Sequence, residues 1–166
     1  MLEHTANLLR ALCEWRRLLK TGGGLVLVVP HRDGTFDHRR EVTTMQHLVK
    51  DLEMGMGEED LTHLPEILDL HDESRDPGVH DMTFHERAER NAEMRSLHHH
   101  VFDTRLAIDV VEKSGLQVLS VEPLRPYHIL VLARKPLEGT AASSFSGDAL
   151  QAVLRNSPFQ TDRRGS

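Results

Sequence analysis

The chain has 166 residues, 26 of them acidic and 20 basic, so its formal net charge at pH 7 is -6. This length fits one domain, and the negative charge argues against general binding to nucleic acid or to an anionic membrane. The single cysteine excludes an internal disulfide and a cysteine-based zinc cluster. The first residues carry no signal-peptide pattern and no apolar run reaches the ~20 residues of a membrane span, so we expect a cytoplasmic protein.

The first elements predict one step of a wound α/β domain. Residues 3–20 predict an amphipathic helix, because Leu8, Leu12 and Trp15 recur at helical spacing, and we expect Trp15 in the core. Three glycines at 22–24 end this helix. The aliphatic run 25–29 then predicts a strand that is buried on both faces, as in a parallel sheet.

The middle of the chain, about residues 31–102, is polar and rich in histidine. It predicts short helices at 43–54, 60–71 and 83–97 that are joined by loops. Seven of the chain's twelve histidines lie between positions 63 and 100. We interpret this segment as a helical insertion in the α/β domain.

Regular α/β character returns at residue 103. Residues 103–112 predict a helix, and 117–124 and 127–134 predict two strands. Their two-residue connection, Arg125-Pro126, is too short for a parallel crossover, so the two strands must be antiparallel. From 138 to 166 the composition is dominated by small and polar residues, which predicts a mostly disordered tail.

Several segments and their order resemble the C-terminal half of class I S-adenosylmethionine-dependent methyltransferases. The family's Leu-Glu-His matches Leu2-Glu3-His4, its Arg-Val-Leu-Lys-Pro-Gly-Gly turn matches residues 17–23, and its last helix-to-strand step resembles 113–118. The resemblance implies a partial Rossmann-like fold over residues 1–137. The three strands would be the family's fifth, sixth and seventh, in the spatial order five, seven, six, with the seventh antiparallel.

Residues 30–37 and 98–102 resemble one bacterial subgroup of this family. The resemblance implies that Glu3 and His4 lie beside the cofactor, and that Asp37 and Arg39 border a small-molecule methyl acceptor. A histidine near the acceptor could act as a general base, since its pKa lies close to working pH. The candidates for this catalytic role are His31, His99 and His100.

The sequence departs from the family at its start. No Gly-x-Gly-x-Gly follows any predicted strand, and the first four strands of the family have no counterpart. We therefore expect a methyltransferase-like protein that is inactive alone and does not bind S-adenosylmethionine, and a reading frame that begins upstream of Met1. The fifth strand would be an open edge, which predicts a homodimer or a partner subunit that completes the sheet.

The histidines support two alternative functions. His47 and Asp51 lie four apart on a predicted helix, so both could bind one ion, and the remaining candidate ligands are His63, Glu66, His71 and His98, with one or two ligands from the run 98–100. Such donors suit zinc, iron or nickel. The chain could thus be a repurposed metal-binding protein or metalloenzyme. A third possibility, which rests on the open edge and not on the histidines, is a non-catalytic subunit that completes another methyltransferase. The histidines could equally cap helices, line a cleft or face water.

Overall fold

The computed structural model describes residues 2–76, 81–138 and 144–164 and has the mixed α/β architecture that the sequence predicts. Its elements in chain order are α1 (Leu8–Leu18), β1 (Gly24–Pro30), α2 (Met45–Met54), α3 (Leu64–Leu70), α4 (Phe84–Glu89), α5 (Asn91–Met94), α6 (Thr104–Lys113), β2 (Gln117–Leu124), β3 (His128–Arg134), α7 (Asp148–Asn156) and α8 (Gln160–Arg164). Short 3-10 turns lie at Leu2–His4, Arg32–Gly34 and Glu73–Arg75.

The three strands form one sheet in the order β1-β3-β2. β3 lies in the middle and pairs antiparallel with both neighbours. This confirms the antiparallel pair that the short Arg125-Pro126 connection predicts. The order β1-β3-β2 is also the one that the methyltransferase resemblance implies. Within the described residues β1 pairs only with β3, so its other side is an open edge.

One face of this sheet carries the main hydrophobic core. Leu27 of β1 lies opposite Val131 of β3, and Val29 lies opposite Ile129, and all four are buried. α1 and α6 contribute the helical side of the same core, with buried residues such as Leu12. Burying a side chain of this size contributes about 1.5–3 kcal/mol, so the core on this face holds the sheet and the helices together.

The other face of β1 is apolar and exposed. Val26 is 65% exposed and Val28 is 48% exposed, although both were expected to be buried. The prediction that Trp15 lies in the core is also wrong, because its side chain is 37% exposed. Trp15 borders a groove of about 440 Å³ together with Val26 and Val28, beyond the edge of β1. No described element covers this groove.

The C-terminal segment differs from the disordered tail that its composition predicts. Residues 139–143 and 165–166 lie outside the described residues, but 148–164 contain α7 and α8. Leu150 and Leu154, one helical turn apart on α7, are buried in the main core. Asp162 of α8 is buried as well. A few well-spaced apolar residues therefore dock a segment whose average composition is polar.

The insertion is helical, as expected, and it has a small core of its own. Ile67, Phe84, Ala88 and Leu97 are buried together, under α3 and α4. The predicted helix 83–97 is split into α4 and α5 at Arg90, which leaves helical geometry, and it ends early at Arg95, whose φ is 50°. None of the described helices is long and apolar enough to cross a membrane.

Candidate metal centre

Four potential metal ligands from separate parts of the helical insertion lie close to one another. His47 and Asp51 lie on α2, His63 directly precedes α3, and His100 lies in the segment before α6. His47 Nε2 is 3.0 Å from His63 Nε2 and 3.1 Å from Asp51 Oδ2. One ligand atom each of His47, Asp51 and His100 fits within 4.8 Å, and the His63 and His100 ring centres are 6.3 Å apart. We call these four residues the His47 cluster.

Local hydrogen bonds fix the elements that carry this cluster. The Thr44 side chain accepts a hydrogen bond from the His47 backbone N–H at 3.2 Å and so caps α2. At the other end of α2, the Asn7 side chain donates to the Asp51 carbonyl at 2.9 Å. Ala6 is adjacent to Asn7, and its carbonyl is 3.1 Å from His100 Nε2. The chain before α1 therefore holds α2 and His100 in place together.

One buried atom of the His47 cluster, Nδ1 of His100, has no hydrogen-bond partner, and Oδ2 of Asp51 makes no hydrogen bond but lies 3.1 Å from His47 Nε2. The Ala6 carbonyl can only accept, so Nε2 of His100 carries the ring proton and Nδ1 keeps its lone pair. Leaving Nδ1 of His100 buried and unpaired costs about 1–3 kcal/mol. A metal ion that accepted its lone pair would remove this cost.

Burial lowers the pKa of two histidines of the cluster, which favours the neutral form that binds a metal, but it raises the pKa of Asp51 and so favours its protonated form. Loss of hydration lowers the pKa of His100 to about 3, so its imidazole stays neutral and can donate a lone pair. Burial, and then the nearby His47, lower the pKa of His63. Burial raises the pKa of Asp51, which means that its carboxylate lacks compensating charge. A bound cation would supply that charge.

The distances suit a tetrahedral ion. Zinc binds imidazole nitrogen at about 2.0–2.1 Å, which places neighbouring ligand atoms ~3.4 Å apart. The separations of 3.0 and 3.1 Å around His47 Nε2 are slightly shorter than that. Three imidazoles and one carboxylate are also a donor set that zinc accepts. A tetrahedral ion would also need His63 to move closer to the other ligands, because only His47, Asp51 and His100 offer ligand atoms within 4.8 Å of one another.

The structure brings together three of the six residues that the sequence suggested as metal ligands: His47, Asp51 and His63. Glu66 lies behind His63, with Oε2 at 3.8 Å from His63 Nδ1, where it can orient the ring rather than bind the ion. The run 98–100 contributes His100 to this cluster.

The other two suggested metal ligands lie elsewhere. His71 stacks on Phe84 with ring centres 3.5 Å apart, and its Nε2 is 3.4 Å from a carboxylate oxygen of Asp76. His98 directs Nδ1 at Asp37 Oδ2, at 2.5 Å. The sequence could not separate these histidines, because residues on different loops have no spacing that reports their positions.

The suggested general bases do not share one site. His31 is fully buried, with Nε2 at 3.1 Å from Asp162 and Nδ1 accepting the Asp33 N–H at 3.1 Å, so both ring nitrogens have partners. His99 is buried with Nε2 at 3.4 Å from the Asn91 side chain. His100 belongs to the His47 cluster. In this arrangement His31 has no ring nitrogen left for a substrate.

The residues assigned by resemblance to cofactor and acceptor also separate. Asp37 is buried against Arg40 and His98, whereas the Arg39 side chain is 51% exposed and lies 3.6 Å from Asp72. Glu3 and His4, by contrast, do meet: they lie next to each other and beside His98. The buried Arg40, which no sequence pattern singled out, links Asp37 to this region.

Comparison of the chain with protein-family models, with curated proteins and with solved structures finds no match. The function of the chain is therefore inferred from the geometry of its own residues.

Proposed function

We propose that this protein binds a divalent metal ion, preferentially zinc, through His47, Asp51, His63 and His100. The observation that carries the proposal is that ligand atoms of His47, Asp51 and His100 lie within 4.8 Å of one another, with His63 Nε2 at 3.0 Å from His47 Nε2 and with the buried His100 Nδ1 free of any hydrogen-bond partner. Four protein ligands leave no position for a substrate at a tetrahedral ion, which is typical of a structural site.

The location of the ligands indicates what the ion does. They come from α2, from the loop before α3 and from the segment before α6, so the ion would hold three separate parts of the helical insertion together. The insertion has only a small core of its own, of four buried residues. Binding energy at such a site adds directly to folding energy, because the unfolded chain has no preformed site.

Zinc is expected to stabilise the metal-free protein against urea, and His100→Ala is expected to reduce this effect. At free zinc a thousandfold above the dissociation constant of the His47 cluster, this cluster alone should raise the free energy of unfolding by about 4 kcal/mol. The alanine variant removes one buried ligand, so its urea midpoint should rise less with zinc than that of the wild type, by the contribution of this cluster. Urea unfolding followed by circular dichroism, with and without zinc, measures both. His85→Ala is the matched control, since the His85 side chain is 61% exposed on α4, and it should keep the full response.

A stoichiometric titration with a chromophoric zinc chelator completes this test. The wild type should bind one equivalent of zinc that neither His100→Ala nor His47→Ala binds. If either alanine variant bound this equivalent as tightly as the wild type, the four residues would not be its ligands and the proposed function would be wrong.

The strand order favours a second candidate function. We propose that the sheet is the closing part of a methyltransferase-type sheet, in line with the resemblance of residues 2–136, and that the protein associates through the open edge of β1. The supporting observation is the exposed apolar pair Val26 and Val28 beside that edge. A strand can pair antiparallel with its own copy about a twofold axis, so a second copy is the simplest occupant.

Association through β1 predicts a solution mass of twice the 18.9 kDa chain. Light scattering after size exclusion measures that mass. Val28→Lys places a charge on the exposed apolar face and should return the protein to a monomer, because burying an unpaired charge is unfavourable. Lys50→Ala, on α2 away from this edge, should leave the dimer intact. A monomeric wild type would contradict the self-association.

A further inference from the structure

A second group of potential metal ligands lies outside the His47 cluster. Glu3 and His4 belong to the first 3-10 turn, and His98 lies 94 positions after His4, in the segment before α6. One ligand atom from each of the three lies within 4.8 Å of those of the other two. The backbone holds the two segments together, because the Glu3 carbonyl accepts the His99 N–H at 2.8 Å. We call these three residues the Glu3 cluster.

Both histidine rings of the Glu3 cluster are oriented by acceptors on the protein. His4 Nδ1 donates to the Leu97 carbonyl at 2.8 Å, and His98 Nδ1 donates to Asp37 Oδ2 at 2.5 Å. A carbonyl or carboxylate oxygen can only accept, so the proton sits on Nδ1 in each ring. Nε2 of each ring then keeps its lone pair for a metal ion. In metal sites, a histidine ligand commonly donates its other N–H to a carbonyl or carboxylate in this way.

The carboxylate behind His98 is itself fixed. Arg40, which is 2% exposed, donates to Asp37 Oδ1 at 3.0 Å and to the His98 carbonyl at 2.8 Å. The guanidinium thus holds the backbone of His98 and the group that orients its ring. Asp37 is a positioning residue here, and its carboxylate is too fully engaged to serve as a ligand.

A cavity adjoins the Glu3 cluster. It has a volume of about 300 Å³, and Glu3 and His98 both line it. Phe36 and Tyr127 supply aromatic surface, and Arg75 supplies a positive charge. Three protein ligands leave at least one position on a metal ion for water or another ligand. This distinguishes the Glu3 cluster from the His47 cluster, whose four residues would occupy every position of a tetrahedral ion.

We infer that Glu3, His4 and His98 bind a second divalent metal ion, whose remaining coordination positions face this cavity. A small organic anion with oxygen donors is the ligand class that fits. Its oxygens would bind the ion, Arg75 would offset its charge, and the aromatic walls would contact its apolar part. The ion in the Glu3 cluster is the ligand-binding one, and the ion in the His47 cluster is structural.

Cobalt(II) reports on both clusters separately when it is titrated into the full metal-free chain. The wild type should bind two equivalents, one with the intense visible bands of a four-coordinate site and one with the weak bands of a higher-coordinate site. His98→Ala should lose only the weak bands, and His100→Ala only the intense ones. Acetohydroxamate, a small anionic chelator, should shift the weak bands and leave the intense ones unchanged. His85→Ala is the control for both clusters and should match the wild type.

Glu3→Gln tests the same cluster by a milder substitution, in case His98→Ala does not fold. It keeps the size of the side chain and removes the anionic ligand, so it should weaken the second equivalent at least tenfold while the first keeps its affinity. A wild type that binds only the His100-dependent equivalent would overturn this inference and leave the proposed function standing. A wild type that binds only the His98-dependent equivalent would contradict the proposed function and leave this inference standing. If acetohydroxamate did not shift the weak bands, the ion in the Glu3 cluster would have no coordination position open to a ligand, and that part of the inference would be wrong.

Discussion

Replacing Arg40 by methionine is expected to lower the free energy of unfolding by about 3–5 kcal/mol, the usual cost of removing one partner of a buried ion pair. The Arg40 side chain is 2% exposed and the Asp37 side chain 4% exposed, with the ion pair closed at 3.0 Å. Methionine keeps much of the volume but leaves the Asp37 carboxylate buried beside His98 alone. It also removes the donors to the His98 and His99 carbonyls. Urea unfolding followed by circular dichroism measures the loss.

Two further variants identify the cause of this loss. Asp37→Asn combined with Arg40→Met should be less destabilised than Arg40→Met alone, because the double variant no longer buries an uncompensated charge. Arg39→Met is the matched control one position earlier: its side chain is 51% exposed, and its contact with Asp72 is 3.6 Å long. The control should change the free energy of unfolding by no more than ~0.5 kcal/mol. Equal losses for Arg39→Met and Arg40→Met would contradict the role of the buried pair.

The regular elements could be predicted because they depend on local patterns. The run 25–29 forms β1, and the two-residue connection at Arg125-Pro126 forces β2 and β3 to be antiparallel. The exposure of Val26, Val28 and Trp15 could not be predicted in this way. A continuous apolar run indicates a strand with two apolar faces, and it does not state what covers each face.

The candidate sites could be predicted only where the ligands are close in sequence. His47 and Asp51 share a helical face, and the i, i+4 spacing already places both beside one ion. The remaining ligands, His63 and His100, reach the cluster through loops, and the path of a loop is set by tertiary contacts such as that of His100 with the Ala6 carbonyl. The pairing of His98 with Asp37 rather than with His47 depends on the same contacts.

The C-terminal segment shows why average composition misled the prediction of a disordered tail. α8 is anchored by Asp162, whose carboxylate accepts hydrogen bonds from the Thr104 N–H at 3.1 Å, the Thr104 hydroxyl at 2.6 Å and the Ser157 hydroxyl at 2.5 Å. His31 Nε2 lies 3.1 Å from the same carboxylate. One acidic residue thus joins α8 to the start of α6 and to the end of β1, a role that composition cannot reveal.

Asp162→Ala is therefore expected to lower the free energy of unfolding by about 3 kcal/mol or more, since each buried donor left without a partner costs roughly 1–3 kcal/mol. Asp162→Asn keeps one acceptor oxygen and the side-chain volume, so it should lose about half as much, because the hydroxyls can rotate to accept from the amide. Urea unfolding followed by circular dichroism measures both variants.

Arg164→Ala provides the control on the same helix, because Arg164 is exposed, and it should lie within ~0.5 kcal/mol of the wild type. If Asp162→Ala were as stable as the wild type, α8 would not dock in solution, and the sequence-based prediction of a disordered tail would hold. A docked α8 predicts the following order of stability: Asp162→Ala is the least stable, Asp162→Asn is intermediate, and Arg164→Ala is as stable as the wild type. A docked α8 would also keep His31 buried, since Phe159, just before α8, stacks on its ring at 4.0 Å. The C-terminal segment would then be part of the folded domain and would have to be kept in any variant used to test the metal sites.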